Sequence, residues 1–130
     1  MSVAKPSDFF SGICSKRRFA EREFEGIGNV RIRSINELER RQWQMGTLDK
    51  DGNVDMAKVP LAGPRLMTIA IVDEKDNRQF IESDAERLVE LDAGTIGRIV
   101  EWIQSHCGID DVDIEDTVGN SSGIPSADSQ

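Results

Sequence analysis

The sequence predicts an α+β fold, mainly α, in which an N-terminal β-hairpin over about residues 19–34 packs on four or so helices and a disordered C-terminal tail follows. Three observations predict it. Strict polar–apolar alternation flanks a glycine pair at Gly26 and Gly28, two Ser-x-x-Glu patterns stand where helices should open, and one unbroken apolar stripe at helical spacing runs from Ile96 to Cys107. The 130 residues suit one domain that buries a modest core. The predicted organisation is a flexible arm over 1–17, a globular domain over 18–116 and a disordered tail over 117–130.

The arm contains Pro6, Ser7, Gly12 and Ser15, and its Phe9, Phe10 and Ile13 have the apolar character to dock a short turn of helix. From Phe19 onward Glu21, Glu23 and Glu25 fall on one face and Ala20, Arg22 and Phe24 on the other. Gly26, Gly28 and Asn29 supply the turn, and Val30 and Ile32 then alternate with Arg31 and Arg33. Such a hairpin buries Phe24, Val30 and Ile32 and opposes acids to arginines. Exposed cross-strand ion pairs contribute only about 0.2–1 kcal/mol each, so burial against helices must hold it down.

The first helix of the body is predicted over about 35–45, opened by Ser34 with Glu37 three residues on, with Ile35, Leu38, Gln42 and Met45 facing inward and Gly46 closing it. Asp49 to Pro64 reads as a connection with a short ordered piece around Met56–Val59. Pro64 suits the first position of a helix over 64–72, whose Leu66, Met67, Ile69, Ala70, Ile71 and Val72 are apolar on every side and therefore buried on every side. A central strand fits a run of that length too, but Leu, Met and Ala weigh towards helix. Asp73–Arg78 is a polar turn. Ser83 and Glu86 open a short helix over about 84–91 with Ala85, Leu88 and Val89 inward. A last helix over 94–107 places Ile96, Ile99, Val100, Ile103 and Cys107 on one stripe, with Gly108 as a left-handed cap. Five of the seven residues from Asp110 to Asp116 are acidic, and Gly119–Gln130 has the composition of a disordered tail.

The formal charge of -8 is uneven: residues 1–33 carry +3 and the remainder -11. That excludes nucleic acid as a partner of the main body. Lys16, Arg17 and Arg18 stand beside Glu21, Glu23 and Glu25 and read as a solvated strand entrance. No apolar run approaches the roughly 18 residues of a membrane span, and Lys5, Pro6 and Asp8 occupy the place of a signal peptide's apolar core, so the expectation is a cytoplasmic protein with no membrane partner. Cys14 and Cys107 lack metal-ligand spacing and are expected as free thiols.

Catalytic chemistry finds no foothold. Asp49-Lys50-Asp51-Gly52-Asn53 matches the first five positions of an EF-hand loop, but Val54 replaces the glycine of position 6 and Pro60 the carboxylate of position 12. A plain turn is the better reading. The single histidine, His106, lies at a helix C-terminus, where it complements the dipole, and its neighbour Cys107 faces about 100 degrees away from it. The expectation is a non-enzyme with no catalytic residue, metal or cofactor. Trp43 and Trp102 lie off the main stripes of their helices; they either fill a second core layer or, with Asp110, Asp111, Val112 and Ile114, form a partner-binding or self-association surface.

The order of elements is informative in a different way. A hairpin reading Glu-Phe-Glu-Gly-Ile-Gly-Asn-Val-Arg-Ile-Arg (23–33) is followed by a helix opening Ser-Ile-Asn-Glu-Leu-Glu-Arg (34–40) and by an apolar helix running into Ile71-Val72-Asp73-Glu74. A Gln79-Phe80 step, a capped helix at Ser83-Asp84 and a last helix before an acidic end complete the series. Over roughly residues 19–116 this resembles the tail assembly chaperones of long-tailed bacteriophages and prophages. The resemblance implies a non-enzymatic chaperone that coats the tape measure protein and recruits tail tube subunits in the bacterial host cytoplasm, in many cases as an oligomer. A longer frameshifted product is common in that family, and the Ser/Gly-rich ending from Gly119 departs from its pattern. The alternatives are a divalent-cation-responsive module on the Asp49–Asp55 loop and a generic acidic protein–protein adaptor.

Overall fold

The computed structural model describes residues 2–109. The predicted tail over 117–130 and the end of the globular domain at 116 lie outside them. Helix outweighs strand threefold, 48% to 16%, and the α+β, mainly α class is the one observed. The chain runs α1 (Pro6–Ser11), a 3-10 turn (Ile13–Ser15), β1 (Phe19–Phe24), β2 (Gly28–Arg33), α2 (Glu37–Met45), a second 3-10 turn (Val59–Leu61), α3 (Ala62–Ala70), β3 (Ile71–Val72), a third 3-10 turn (Glu82–Asp84), α4 (Ala85–Leu88) and α5 (Ala93–Cys107).

The hairpin forms, with Phe24, Val30 and Ile32 on one face as predicted. Ala20 faces Ile32, Arg22 faces Val30 and Phe24 faces Gly28 on the inner side, while Phe19 faces Arg33, Glu21 faces Arg31 and Glu23 faces Asn29 on the outer side. Gly26 and Gly28 have φ of +83° and +110°, a region that favours glycine, which is why this sequence turns here. Phe24, Val30 and Ile32 are buried. Only one acid–arginine pair crosses the hairpin, Glu21 with Arg31 at 3.1 Å; Arg33 turns instead to Glu39 of α2.

A third strand enlarges the hairpin to an antiparallel sheet of order β1-β2-β3, with Ile71 opposite Ile32 and Val72 opposite Arg31. The sequence reading extended the preceding helix to Val72. The helix stops at Ala70 because the β-branched pair Ile71-Val72 finds a sheet edge to bond, and tertiary pairing overrides helix propensity at a chain end that could take either form. The polar turn after it closes a hairpin, with Asp73 Oδ1 accepting from the amides of Lys75 and Asn77 and Val72 bridging to Arg78.

Beneath the sheet lie α3 and α5, crossing closely where a Cβ on Gly63 would stand 3.2 Å from Val100. Leu66, Met67 and Ala70 of α3 and Ile99 and Ile103 of α5 meet Phe24, Val30 and Ile32 in one core. The stripe predicted for α5 is present, Asp92 caps its first turn through the amide of Thr95, and Gly108 ends it at φ +70°.

Helix α2 departs from expectation in two ways. Its cap is Asn36, whose side chain accepts from the Glu39 amide at 2.8 Å while Glu39 accepts from the Asn36 amide at 2.9 Å. Ser34 is not free to cap, because its hydroxyl accepts from the Arg18 amide and its own amide donates to Arg18 O, continuing the hairpin by one pair. The inward residue is Trp43, 1% exposed, whereas Leu38 and Met45 are 65% and 61% exposed. Trp43 Nε1 donates to Ala62 O at 2.7 Å and fixes α2 against the start of α3.

The predicted second capping box also shifts: the side chain of Asp84 accepts from the Ile81 amide, so the turn at Glu82–Asp84 begins before Ser83, and Ala85 and Leu88 point inward while Val89 does not. Pro64 stands in the third position of α3 rather than the first, still within the turn whose amides need no partner inside the helix. The ordered piece expected around Met56–Val59 is the 3-10 turn at Val59–Leu61.

Candidate functional site

Two of the apolar surfaces left after the core is assembled lie at the hairpin turn and on the arm. One is a groove of about 510 Å³ at the turn end of the hairpin, where Ile27 and Val30 face Met67 and Ile71 on one wall and Leu91 and Ile96 on another. Its charged lining among the described residues is Glu25 and Asp92, with no lysine or arginine. Ile27 and Leu91 are exposed by 55% and 56%. The other surface is the arm. Helix α1 forms, as the sequence allowed, but it does not dock: Phe9, Phe10 and Ile13 are 59%, 83% and 81% exposed. Its stabilising bonds are local, from the Lys5 amide to Asp8, from Ser11 Oγ to Ser7 O and from Cys14 Sγ to Phe9 O.

At the end of the molecule away from the groove, charged and polar groups knit the arm to the body. Arg17 donates to both oxygens of Glu39, at 2.7 and 3.1 Å, and to Ser34 O. Arg33 reaches the same carboxylate at 3.4 Å and donates to Ile69 O. Burial raises the Glu39 carboxyl, but the Arg17 hydrogen bonds, the Asn36 amide and the two guanidinium charges outweigh it and leave the group below the ordinary carboxylate range. Burial, then the charge of Arg17, lowers the Arg33 guanidinium despite Glu39. His106 Nε2 donates to Arg18 O at 2.9 Å and Cys107 Sγ lies 3.8 Å from Arg33 O. These are bonds of assembly: each polar group is matched to a carbonyl or a counter-charge that the fold already needs.

The arginines also bond carbonyls near the C-terminal ends of two helices. Arg65 donates to Trp43 O at 3.0 Å and Gln42 O at 3.4 Å, and Arg78 donates to Thr68 O at 2.8 Å. Gly46 closes α2 as expected, with φ -67°, and a Cβ there would displace the Arg65 guanidinium.

The residues singled out from sequence fare unequally. Trp43 is a core residue and presents no surface to a partner. Trp102 is half-buried and packs on Phe24 with ring centroids 5.6 Å apart, in the second core layer. Asp110, Asp111, Val112 and Ile114 lie outside the described residues. Asp49 Oδ1 is engaged by the amides of Asp51 and Asn53, and Leu48 bridges to Val54, so Asp49–Asn53 is the turn of a small hairpin. Among the described residues no three His, Cys, Asp or Glu side chains converge as metal ligands would. Burial raises the Cys107 thiol, the opposite of nucleophile activation. No described helix is long and apolar enough to cross a membrane.

The sequence reading missed the groove. Its residues come from the hairpin turn, α3, the Gln79–Phe80 step and both ends of the Leu88–Asp92 link, and no local pattern marks their convergence; the one available signal was the unexplained apolar residues Ile27 and Leu91 in otherwise polar turns. No family model matches this chain, and neither a curated protein nor a solved structure is similar to it.

Proposed function

We propose that this chain is a non-enzymatic tail assembly chaperone of a long-tailed bacteriophage or prophage, which binds the tape measure protein and recruits tail tube subunits in the host cytoplasm. The observation that carries the reading is the open, acid-lined apolar groove beside Ile27, Leu91 and Ile96. A channel of that character receives the apolar face of an amphipathic helix, and a tape measure protein is a long succession of such faces. The element order from the hairpin to the last helix supports the same assignment. So does the use of Arg17, Arg33, Glu39, Arg65 and His106, whose polar atoms are committed to fold contacts.

The test is co-expression of the tagged chain with the long helical reading frame beside its gene. The expected result is that the tape measure protein stays soluble and co-purifies, and that Leu91→Lys in the groove abolishes the association. Failure to retain either the tape measure protein or the tube subunit overturns the assignment. A divalent-cation module on Asp49–Asp55 has weaker support, since the first carboxylate of that loop already caps two backbone amides; absence of heat on calorimetric titration with calcium removes it.

A further inference from the structure

The groove and the arm are complementary in three respects. The groove is apolar with the acids Glu25 and Asp92 in its lining. The arm offers two adjacent phenylalanines and an isoleucine, all exposed, and Lys5, Lys16, Arg17 and Arg18 against a single acid, Asp8. Lys5 and Lys16 form no ion pair among the described residues. Two exposed phenylalanines offer about 150–250 Å² each, enough to make them anchors of a docked segment.

Within one molecule they do not meet, for no described arm residue lines the groove. The arm is fastened where β1 begins, through Arg17 to Glu39 and Arg18 O to His106, whereas the groove lies at Glu25–Asn29, where β1 ends. Strand β1 spans about 20 Å. Along α5 the same separation recurs, since Thr95, Ile96 and Ile99 line the groove while His106 bonds Arg18 O at the arm's anchor, and Ile96 to His106 is roughly 15 Å along a helix axis. Helix α1 and its 3-10 turn span about 15 Å, and the extended residues between them and β1 add about 10 Å, so the arm extends about 25 Å from its anchor at most. It would have to lie flat along the body to approach the groove's near edge, and the exposure of Phe9, Phe10 and Ile13 shows that it does not.

We infer that the groove is the receptor for the N-terminal arm of a second copy of this chain, with Phe9 and Phe10 as the inserted side chains and the acidic lining facing the arm's lysines. Because donor and receptor surfaces occupy opposite ends of the body, each copy can give and receive at once. Copies then either exchange arms reciprocally as a pair or continue head to tail. This deepens the proposed function by naming an occupant of the same groove, and it rests on that reading only for the premise that the groove binds protein. In the chaperone reading, a client helix entering the groove displaces the neighbour's arm.

The experiment measures mass in solution for the purified full chain by light scattering across a range of concentrations. Wild type is expected to form dimers or larger species in a concentration-dependent way. Phe9→Glu with Phe10→Glu (arm variant) and Ile27→Lys with Leu91→Lys (groove variant) are each expected to be monomeric, with at least a tenfold loss of association constant per anchor removed. All four positions are exposed, so unchanged circular dichroism, and a thermal midpoint equal to that of the wild type at a dilution where it is monomeric, confirm folding. An equimolar mixture of the two variants retains one intact arm and one intact groove, and it is expected to restore a dimer and nothing larger. A monomeric wild type, an arm variant or groove variant that still associates, or a mixture that stays monomeric overturns the inference. The arm variant keeps its groove, so it still binds tape measure protein if the proposed function holds. Loss of self-association and loss of client binding are therefore read separately.

Discussion

Helices α1 and α2 flank the hairpin and both carry large aromatics, yet Phe10 is 83% exposed and Trp43 1%. Hydrophobicity does not separate them. What differs is where the backbone polar groups of each helix find partners. Helix α2 is capped by Asn36 and Glu39 at its start, its final carbonyls accept from Arg65, and its indole is hydrogen-bonded to Ala62 O. Helix α1 has only local bonds among the described residues, and the first long-range attachment after it is Arg17. Trp43 is buried on a helix tethered at both ends to the core, and Phe10 is exposed on one that is not.

The strongest way to break the contrast is to empty the tethered side. Trp43→Ala removes a filled core site and a buried hydrogen bond, and it is expected to cost about 4 kcal/mol in urea unfolding, a large share of the roughly 5–15 kcal/mol that holds a domain of this size folded. Next comes Glu39, the residue at which both helices are attached. Glu39→Gln weakens the cap of α2 and leaves Arg17 and Arg33 without their counter-charge, at about 2 kcal/mol.

The same residue sets an acid dependence. The Glu39 carboxyl is lowered, and Glu37, hydrogen-bonded first by Arg40 and then by Arg41, is lowered from 4.5 to about 2. A depressed carboxyl contributes its stabilisation fully above the ordinary value and loses it as pH falls towards the folded-state value. The urea midpoint of the wild type is therefore expected to drop below about pH 4.5, and the slope of that drop to be shallower in Glu39→Gln.

Smaller effects sharpen the comparison. Gly46→Ala pushes Arg65 from the Trp43 and Gln42 carbonyls and is expected to cost about 1–2 kcal/mol, although alanine is the better helix former; an increase in stability would show that the guanidinium tether is dispensable. At a dilution where the wild type is monomeric, Phe10→Ser is expected to shift the thermal midpoint negligibly, within about 0.5 kcal/mol. A larger loss would place the phenylalanine in contact with the body.

Periodicity exposed the hairpin and α5 because each buries one continuous face: Phe24, Val30 and Ile32 at period two, and Ile96 to Cys107 at helical spacing. It misread α2, where Leu38 and Met45 looked like a stripe but Trp43 and the arginine tether at Gly46 decide the orientation. It also extended α3 through β3, since Ile71 and Val72 carry no local sign that a strand edge awaits them. The groove was least legible, because it is assembled from residues as far apart in the chain as Ile27 and Ile96. The two acidic turns were legible as turns, and their common form, an Asp accepting from the amides two and four residues on, shows why the motif at Asp49 imitates a calcium loop.

The inward arginines have an effect beyond the fold. The side chains of Arg33 and Arg65 are 14% and 12% exposed, so two of the molecule's cations face carbonyls while most of its acids face water. At contact range the surface is consequently more negative than a net charge of -8 conveys. An approaching basic helix is steered by that field before it touches anything, and encounter rates should fall steeply as salt shortens the reach of the field to about 8 Å at physiological ionic strength.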